Sequence, residues 1–264
     1  MTTSQRPGPL FTYVGGPTLL IEIGQVRFLT DPTFDPAGSR YTAGPVRLEK
    51  TSAPAAGPDT LPTVDAVLLT HDQHHDNLDA GGRAYPKRAA SVLTTVAGAG
   101  RLGGTAVGLA PWASRVVRSA DGTEAVTVTA TPARHGPPGS EPLQGDVVGF
   151  CLEWAGAGGA IYVSGDSVWF EGVAEVARRF RVCTAVLFLG AAVIPVKGRE
   201  PLTMTAGEAV TAARAFTPKH VVPIHYEGWA HLSQGRDEVT RAFDAAGLGG
   251  ELVWLAPGCR TSLE

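Results

Sequence analysis

Apolar positions along the chain fall into short runs punctuated by Gly, Pro and polar clusters. Phe11 to Val14, Thr18 to Ile23 and Val26 to Leu29 are rich in β-branched and aromatic residues and are separated by Gly-Gly or Gly-Gln, which predicts an antiparallel meander. Asp31-Pro32-Thr33-Phe34-Asp35-Pro36 then breaks regular structure, because each proline fixes φ and removes a donor, and a loop is predicted to run on to Pro62. A connection of that length inside a compact domain reads as a functional loop or a lid. Val64 to Thr70 is a largely apolar strand that delivers the chain into His71-Asp72-Gln73-His74-His75-Asp76-Asn77. Asn77-Leu78-Asp79 offers a helix cap, and Ala89 to Thr95 and Val107 to Leu109 read as further short elements of strand type. Glu124 to Thr131 alternates as a strand and runs into Pro132-Ala133-Arg134-His135. Val147 to Trp154 and Ala160 to Ser164 form a hairpin around Gly156-Ala157-Gly158-Gly159, and its second strand opens onto Gly165-Asp166-Ser167.

Downstream, Val173 to Arg181 reads as an amphipathic helix and Cys183 to Leu189 as a buried strand. Thr205 to Phe216 reads as a helix because Thr205 is able to cap it while Glu208 sits three residues later. Val221 to Ile224 is a strand ending at His225-Tyr226, Arg236 to Ala246 a helix, and Glu251 to Leu255 a final strand. A meander followed by strands alternating with helices predicts an α/β fold, two sheets with helices outside, in a single domain over residues 1–264.

Composition narrows the classes of function. With 44% apolar and 18% charged residues the chain has the makings of an ordinary folded core. Its net charge of −3 is spread without a basic stripe, which argues against nucleic acid as a partner. Cys151, Cys183 and Cys259 are far apart and outside any C-x-x-C arrangement, so they read as reduced thiols. Met1 to Leu10 lacks a charged segment followed by an apolar run, and Val182 to Val196, interrupted by Thr184, Gly190 and Pro195, is shorter than the roughly 18 residues a membrane span requires. A cytoplasmic protein acting on a small molecule is expected, with no membrane partner; a homo-oligomer is compatible with this composition.

The chemistry lies at the ends of strands. Four segments share one arrangement, an apolar strand closing on His or Asp: at His71, His74 and Asp76, at His135, at Asp166 and at His225. Taken singly, His135 reads as a polar loop residue and Gly165-Asp166-Ser167 as a turn; His220 and His231 are assigned no role. The 71–76 cluster differs, because three His and two Asp at the exit of a buried strand repel or go unsatisfied unless an ion collects them. Imidazole with carboxylate suits zinc and other first-row divalent ions.

These motifs resemble the metallo-β-lactamase-fold hydrolases, whose pattern is a strand, then Thr/Ser-His-x-His-x-Asp-His, a distant His, a distant Asp and a final His. TPAR before His135, SG before Asp166, PI before His225 and DPTF after the meander look like the branch that includes L-ascorbate 6-phosphate lactonase, over about Phe11 to Leu255. The resemblance implies an αββα four-layer sandwich of two mixed sheets with helices on the outer faces. It implies one metal on His71, His74 and His135, a second on Asp76 and His225, and Asp166 bridging both.

The sequence departs from the pattern twice. Gln73 is an extra residue between the first two His, and Asn77 stands where the closing His belongs. An ungapped placement would put Gln73, His75 and Asp76 in the motif positions, so His75 and Asn77 remain additional or substitute ligands. One or two ions are compatible, zinc first, with manganese as the harder alternative.

The implied activity is a lactonase-like hydrolase, in which hydroxide on the metal attacks a carbonyl or phosphoryl centre and Asp76 orients the water and passes its proton to the leaving group. A phosphodiesterase of the same fold and a non-catalytic ligand-binding descendant are the alternatives. Arg134 and Tyr226 point away from their His neighbours and read as supporting residues. Trp112, Trp169 and Trp229 read equally as a pocket wall or as packing.

Overall fold

The computed structural model describes residues 8–263, so the N-terminal reading for residues 1–7 lies outside the described residues. The predicted meander forms as β1 (Leu10–Gly15), β2 (Thr18–Ile23) and β3 (Val26–Thr30). The predicted long loop instead contains a hairpin, β4 (Arg40–Ala43) and β5 (Val46–Glu49), which forms its own two-stranded sheet. In β5, buried Val46 and Leu48 alternate with exposed Arg47; β4 is mostly exposed and carries no apolar signal. There follow β6 (Ala66–Leu68), α1 (Ala80–Ala84), β7 (Ser91–Thr94), α2 (Val96–Leu102), β8 (Ala106–Gly108), β9 (Ser114–Arg118) and β10 (Ala125–Pro132). Asp79 caps α1, accepting from Gly82 N at 2.7 Å, and Thr95 caps α2, accepting from Gly98 N at 2.9 Å.

The second half runs α3 (Glu141–Gln144), β11 (Val148–Trp154), β12 (Ala160–Val163), α4 (Glu171–Arg179), β13 (Val182–Phe188), α5 (Ala206–Phe216), β14 (His220–Ile224), α6 (Arg236–Ala245) and β15 (Arg260–Ser262). Thr205 and Glu208 form the expected capping box on α5. The predicted final strand does not form: Leu252 makes one isolated bridge with Val221, and the last strand is polar β15, paired with β1 at the sheet edge.

Two mixed sheets result, ordered β15-β1-β2-β3-β6-β7-β8 and β14-β13-β12-β11-β10-β9. Phe11, Ile21, Phe28 and Leu68 of the first pack with Val128, Phe150, Val163, Phe188 and Ile224 of the second in one apolar core between them. On the outer face of the second sheet, Tyr162, Ala185, Leu187 and Val221 pack on Val173, Val176, Ala209, Phe216 and Phe243 of α4, α5 and α6. On the outer face of the first, Leu29, Val67, Leu69 and Val92 meet Leu78, Tyr85 and Leu102 from the α1–α2 region. The fold is the four-layer α/β/β/α sandwich. Among the described residues no helix is long and apolar enough to cross a membrane.

Strand direction places the chemistry. β12, β13 and β14 are parallel, and β10 runs the same way as β12 because each is antiparallel to β11, so residues beyond β10, β12 and β14 leave one edge of the sheet. The exits of β12 and β6 meet at Gly165, whose φ is +62° and whose missing Cβ would stand 2.8 Å from Val148 O and 2.9 Å from Thr70 Cγ2. Only glycine allows that approach in that conformation. Gly165→Ala is expected to lower stability by about 2 kcal/mol, read as a lower urea midpoint at unchanged slope, and to weaken metal binding by displacing Asp166.

Candidate metal centre

The strand exits bring three imidazoles together. His71 Nε2 lies 2.9 Å from His74 Nδ1, and His135 Nε2 lies 3.2 Å from the same atom. Tautomers follow from the far side of each ring. His135 Nδ1 faces the Leu202 carbonyl at 2.8 Å and must donate to it. Thr70 Oγ1 donates to Asp31 Oδ2 at 2.6 Å, so at 3.0 Å it accepts from His71 Nδ1. Both Nε2 atoms are therefore bare, and His74 has one ring proton at most to offer them on Nδ1. Such a set of lone pairs is the donor arrangement of a metal site with its outer hydrogen bonds already in place.

Asp31 anchors this arrangement from below. Its Oδ1 accepts from Thr70 N at 2.6 Å, and its Oδ2 also accepts from Asn77 Nδ2 at 3.0 Å. Burial raises its pKa to about 7, against the lowering effect of these hydrogen bonds. Asp31→Asn turns one acceptor into a donor facing donors. It is expected to weaken binding of the first ion about 10- to 100-fold, measured by zinc competition with a chelating dye.

A second group lies beside the first: Asp76, Asp166 and His225, with candidate donor atoms all within 4.8 Å of one another, as they are in the first group. His225 Nε2 lies 3.5 Å from Asp166 Oδ1 and 3.7 Å from Asp76 Oδ2. His225 sits in the left-handed region at φ 54°, strained backbone of the kind that persists where neighbours hold it; its N–H donates to Gly16 O at 2.8 Å. Asp166 stands between the groups, with Oδ2 3.7 Å from His135 Nε2 and 4.0 Å from His71 Nε2. Both of its oxygens are buried without a hydrogen-bond partner among the described residues. Two bare carboxylate oxygens in that position cost several kcal/mol unless a cation collects them.

The protonation states fit the same reading. Burial lowers the His71 pKa to about 4 and pushes His74 well below its ordinary value, so these two rings are neutral imidazole at pH 7. Burial pushes Asp166 upward, but His225, His135 and His71 hold its carboxyl well below the usual range. Burial likewise opposes ionisation of Asp76, and the hydrogen bond and charge of His231, with His225 and His74, bring it well below. Burial pulls the His225 pKa down, but the charges of Asp166 and Asp76 carry it above its ordinary value; neutral His71 and His74 and the ionised carboxylates are in the forms a divalent metal requires.

A model of the β-lactamase superfamily domain matches residues 26–226, a span that holds all six residues of the two groups. The chain belongs to the β-lactamase superfamily. Within the superfamily it is similar to the UPF0173 metal-dependent hydrolase of Myxococcus xanthus, 30% identical over 218 residues that cover 79% of this chain and 71% of the relative. The corresponding hydrolase of Pyrococcus furiosus is 25% identical over 239 residues, 89% of this chain and 97% of that one. The isothiocyanate hydrolase from Delia radicum gut bacteria shares the fold, with TM-score 0.81 at 23% identity over 96% of this chain and 98% of its own. The chain is a metal-dependent hydrolase of the metallo-β-lactamase fold, with candidate groups for a divalent ion.

The two departures from the superfamily motif have distinct places. Gln73 folds away, its Oε1 accepting from Asp72 N at 3.0 Å and its Nε2 donating to Asp146 O at 3.4 Å, so His71 and His74 converge across the insertion. His75 stacks on Tyr41 of the β4–β5 hairpin at 4.7 Å and belongs to neither group. Asn77 is fully buried, and its amide nitrogen is turned to Asp31. Arg134 packs on Phe170, with its guanidinium carbon 4.7 Å from the ring centre, and Tyr226 stacks on Tyr13. Trp112 and Trp169 pack against the helix-side core, and Trp229 is buried under the hairpin against Tyr41.

Sequence reasoning missed Asp31, Thr70 and His231. Asp31 shows in the sequence only as the start of a proline-broken turn. His231, assigned no role, has a side chain only 7% exposed, and its Nε2 lies 2.9 Å from Asp76 Oδ2.

Proposed function

We propose that this hydrolase uses zinc to open a small-molecule ester of the lactone type. The observation that carries the metal chemistry is Asp166, buried between two donor groups with both oxygens free of hydrogen bonds among the described residues. Three imidazoles in the first group favour zinc, while the carboxylates of the second also suit manganese. Resemblance to the lactonase branch in the segments around His135, Asp166 and His225 supports the substrate class. When bound, the metal supplies a Lewis acid and lowers the pKa of a coordinated water towards neutrality.

The residues of the chain account for the rest. Asp76, held ionised, is placed to take the proton of the attacking water and deliver it to the leaving oxygen. Five of the six ligand-group residues are buried and His74 is half-buried. Lys197 is half-buried, and its Nζ donates to Gln144 Oε1 at 2.7 Å. Its charge is felt at both Asp76 and His74, which suits it to meet an anionic group of the substrate or negative charge that develops during attack.

The test is turnover by zinc- and manganese-loaded protein of a lactone panel, a phosphodiester panel and an isothiocyanate, the last being the compound class named for the fold neighbour. Lactone turnover is expected to exceed the others by at least about tenfold in kcat/KM, roughly 1.4 kcal/mol. A phosphodiester preference reassigns the substrate, and absence of turnover on every class contradicts the catalytic reading.

A further inference from the structure

The superfamily motif ends on a histidine that this chain lacks, and Asn77 is in its place. We infer that His231, from a different segment, supplies the missing imidazole and completes the second metal group as its fourth donor. The inference rests on the metal-dependent reading above. His231 lies beyond the segment 26–226 that matches the superfamily, and it is not part of either three-residue group.

Three observations carry it. First, His231 Nε2 stands at ligand spacing from one donor of the group, Asp76 Oδ2. Ligands bound at about 2.0–2.1 Å to a tetrahedral ion stand about 3.3–3.4 Å apart. The distances here bracket that edge: His231 Nε2 to Asp76 Oδ2 is 2.9 Å, His225 Nε2 to Asp166 Oδ1 is 3.5 Å, and His225 Nε2 to Asp76 Oδ2 is 3.7 Å. Asp76 Oδ2 thus faces two imidazole nitrogens at once.

Second, the set is buried and unsatisfied. The side chains of His225 and Asp166 are 0% and 1% exposed, that of His231 7%. Among the described residues, His225 Nε2 and both Asp166 oxygens lack hydrogen-bond partners. These unpaired polar atoms belong to the second group, and His231 Nε2 stands against its Asp76 carboxylate.

Third, the backbone holds His231 there. Ala230 N donates to Glu49 O at 3.0 Å and Val193 N donates to His231 O at 2.9 Å, while Trp229 and Leu232 bridge to Lys50 and Ala192. The segment is clamped between the end of the β4–β5 hairpin and the loop after β13. The hairpin therefore has a stated job: it fixes one wall of the second metal group. Asn77, freed from ligation, instead donates to Asp31 beneath the first group.

The test is metal stoichiometry by titration of chelated protein with zinc, in wild type, His231→Ala and His231→Gln. The glutamine variant retains an N–H donor for Asp76 but no imidazole, so it separates ligation from mere support of Asp76. Wild type is expected to take up two ions; both variants are expected to keep the first at unchanged affinity and to bind the second at least about 100-fold more weakly. Two tight ions in the glutamine variant would assign His231 to hydrogen bonding alone and overturn the proposal while leaving the metal-dependent reading standing. No zinc uptake by wild type would overturn both.

Should a variant fail to fold, a crystal structure of zinc-loaded wild type decides the same question. His231 Nε2 at about 2.0–2.1 Å from the second ion supports ligation. His231 turned to Asp76 with the second ion out of its reach overturns it.

Discussion

Asp166→Asn is expected to lower kcat/KM by at least about a thousandfold, roughly 4 kcal/mol of lost transition-state stabilisation. The oxygens of this carboxylate face both donor sets, Oδ2 at 3.7 Å from His135 and Oδ1 at 3.5 Å from His225. An amide removes the negative charge and presents an N–H to one side, so the residue would hold a cation between the two groups far less well. In the metal-free protein the charge of Asp166 is held by His225, His135 and His71, so chelated Asp166→Asn should melt no higher than chelated wild type. Normal turnover with two bound ions would remove Asp166 from the centre.

Asp76→Asn is the second large effect. If Asp76 carries the proton, kcat should fall by about 10²- to 10⁴-fold while the first ion, held by three imidazoles, is retained. The comparison with His231 is informative, because His231 Nε2 lies 2.9 Å from the same Oδ2. A variant at position 76 that loses the second ion and the proton carrier together should be more damaged in kcat than His231→Ala, which leaves the carboxylate in place. Equal kcat for Asp76→Asn and wild type would rule out the proton-transfer role.

How much of this was legible in the sequence follows from which signals are local. The α5 cap was readable because Thr205 and Glu208 lie within one turn, and the strand exits were readable because apolar runs end abruptly on His71, Asp166 and His225. The β4–β5 hairpin was not, since β4 is exposed and its pairing partner supplies only Val46 and Leu48. β15 was hidden for the same reason: Arg260, Thr261 and Ser262 carry no apolar alternation, and their strand state comes from β1 alone. Leu252 and Val253 look like strand but make only an isolated bridge and one backbone bond to Val221.

In the site, the insertion at Gln73 was visible and its consequence was not. The backbone absorbs it by turning Gln73 towards Asp146, so the two histidines still meet. His231 was invisible because its burial is tertiary, produced by the hairpin on one side and the 190–193 loop on the other. The signal that could have found it is indirect: a motif short of one imidazole, and an unassigned histidine shortly after the last ligand.

If the two groups around Asp166 hold divalent ions, both fold stability and hydrolysis depend on them. Elemental analysis of protein purified without chelator, paired with thermal melting and turnover before and after chelation, tests it most directly. Bound metal approaching two equivalents is expected, with a melting temperature lower by roughly 5–10 °C after chelation, loss of turnover, and recovery of both on adding zinc. Protein that carries no metal, takes none up and melts at the same temperature with or without chelator would contradict it.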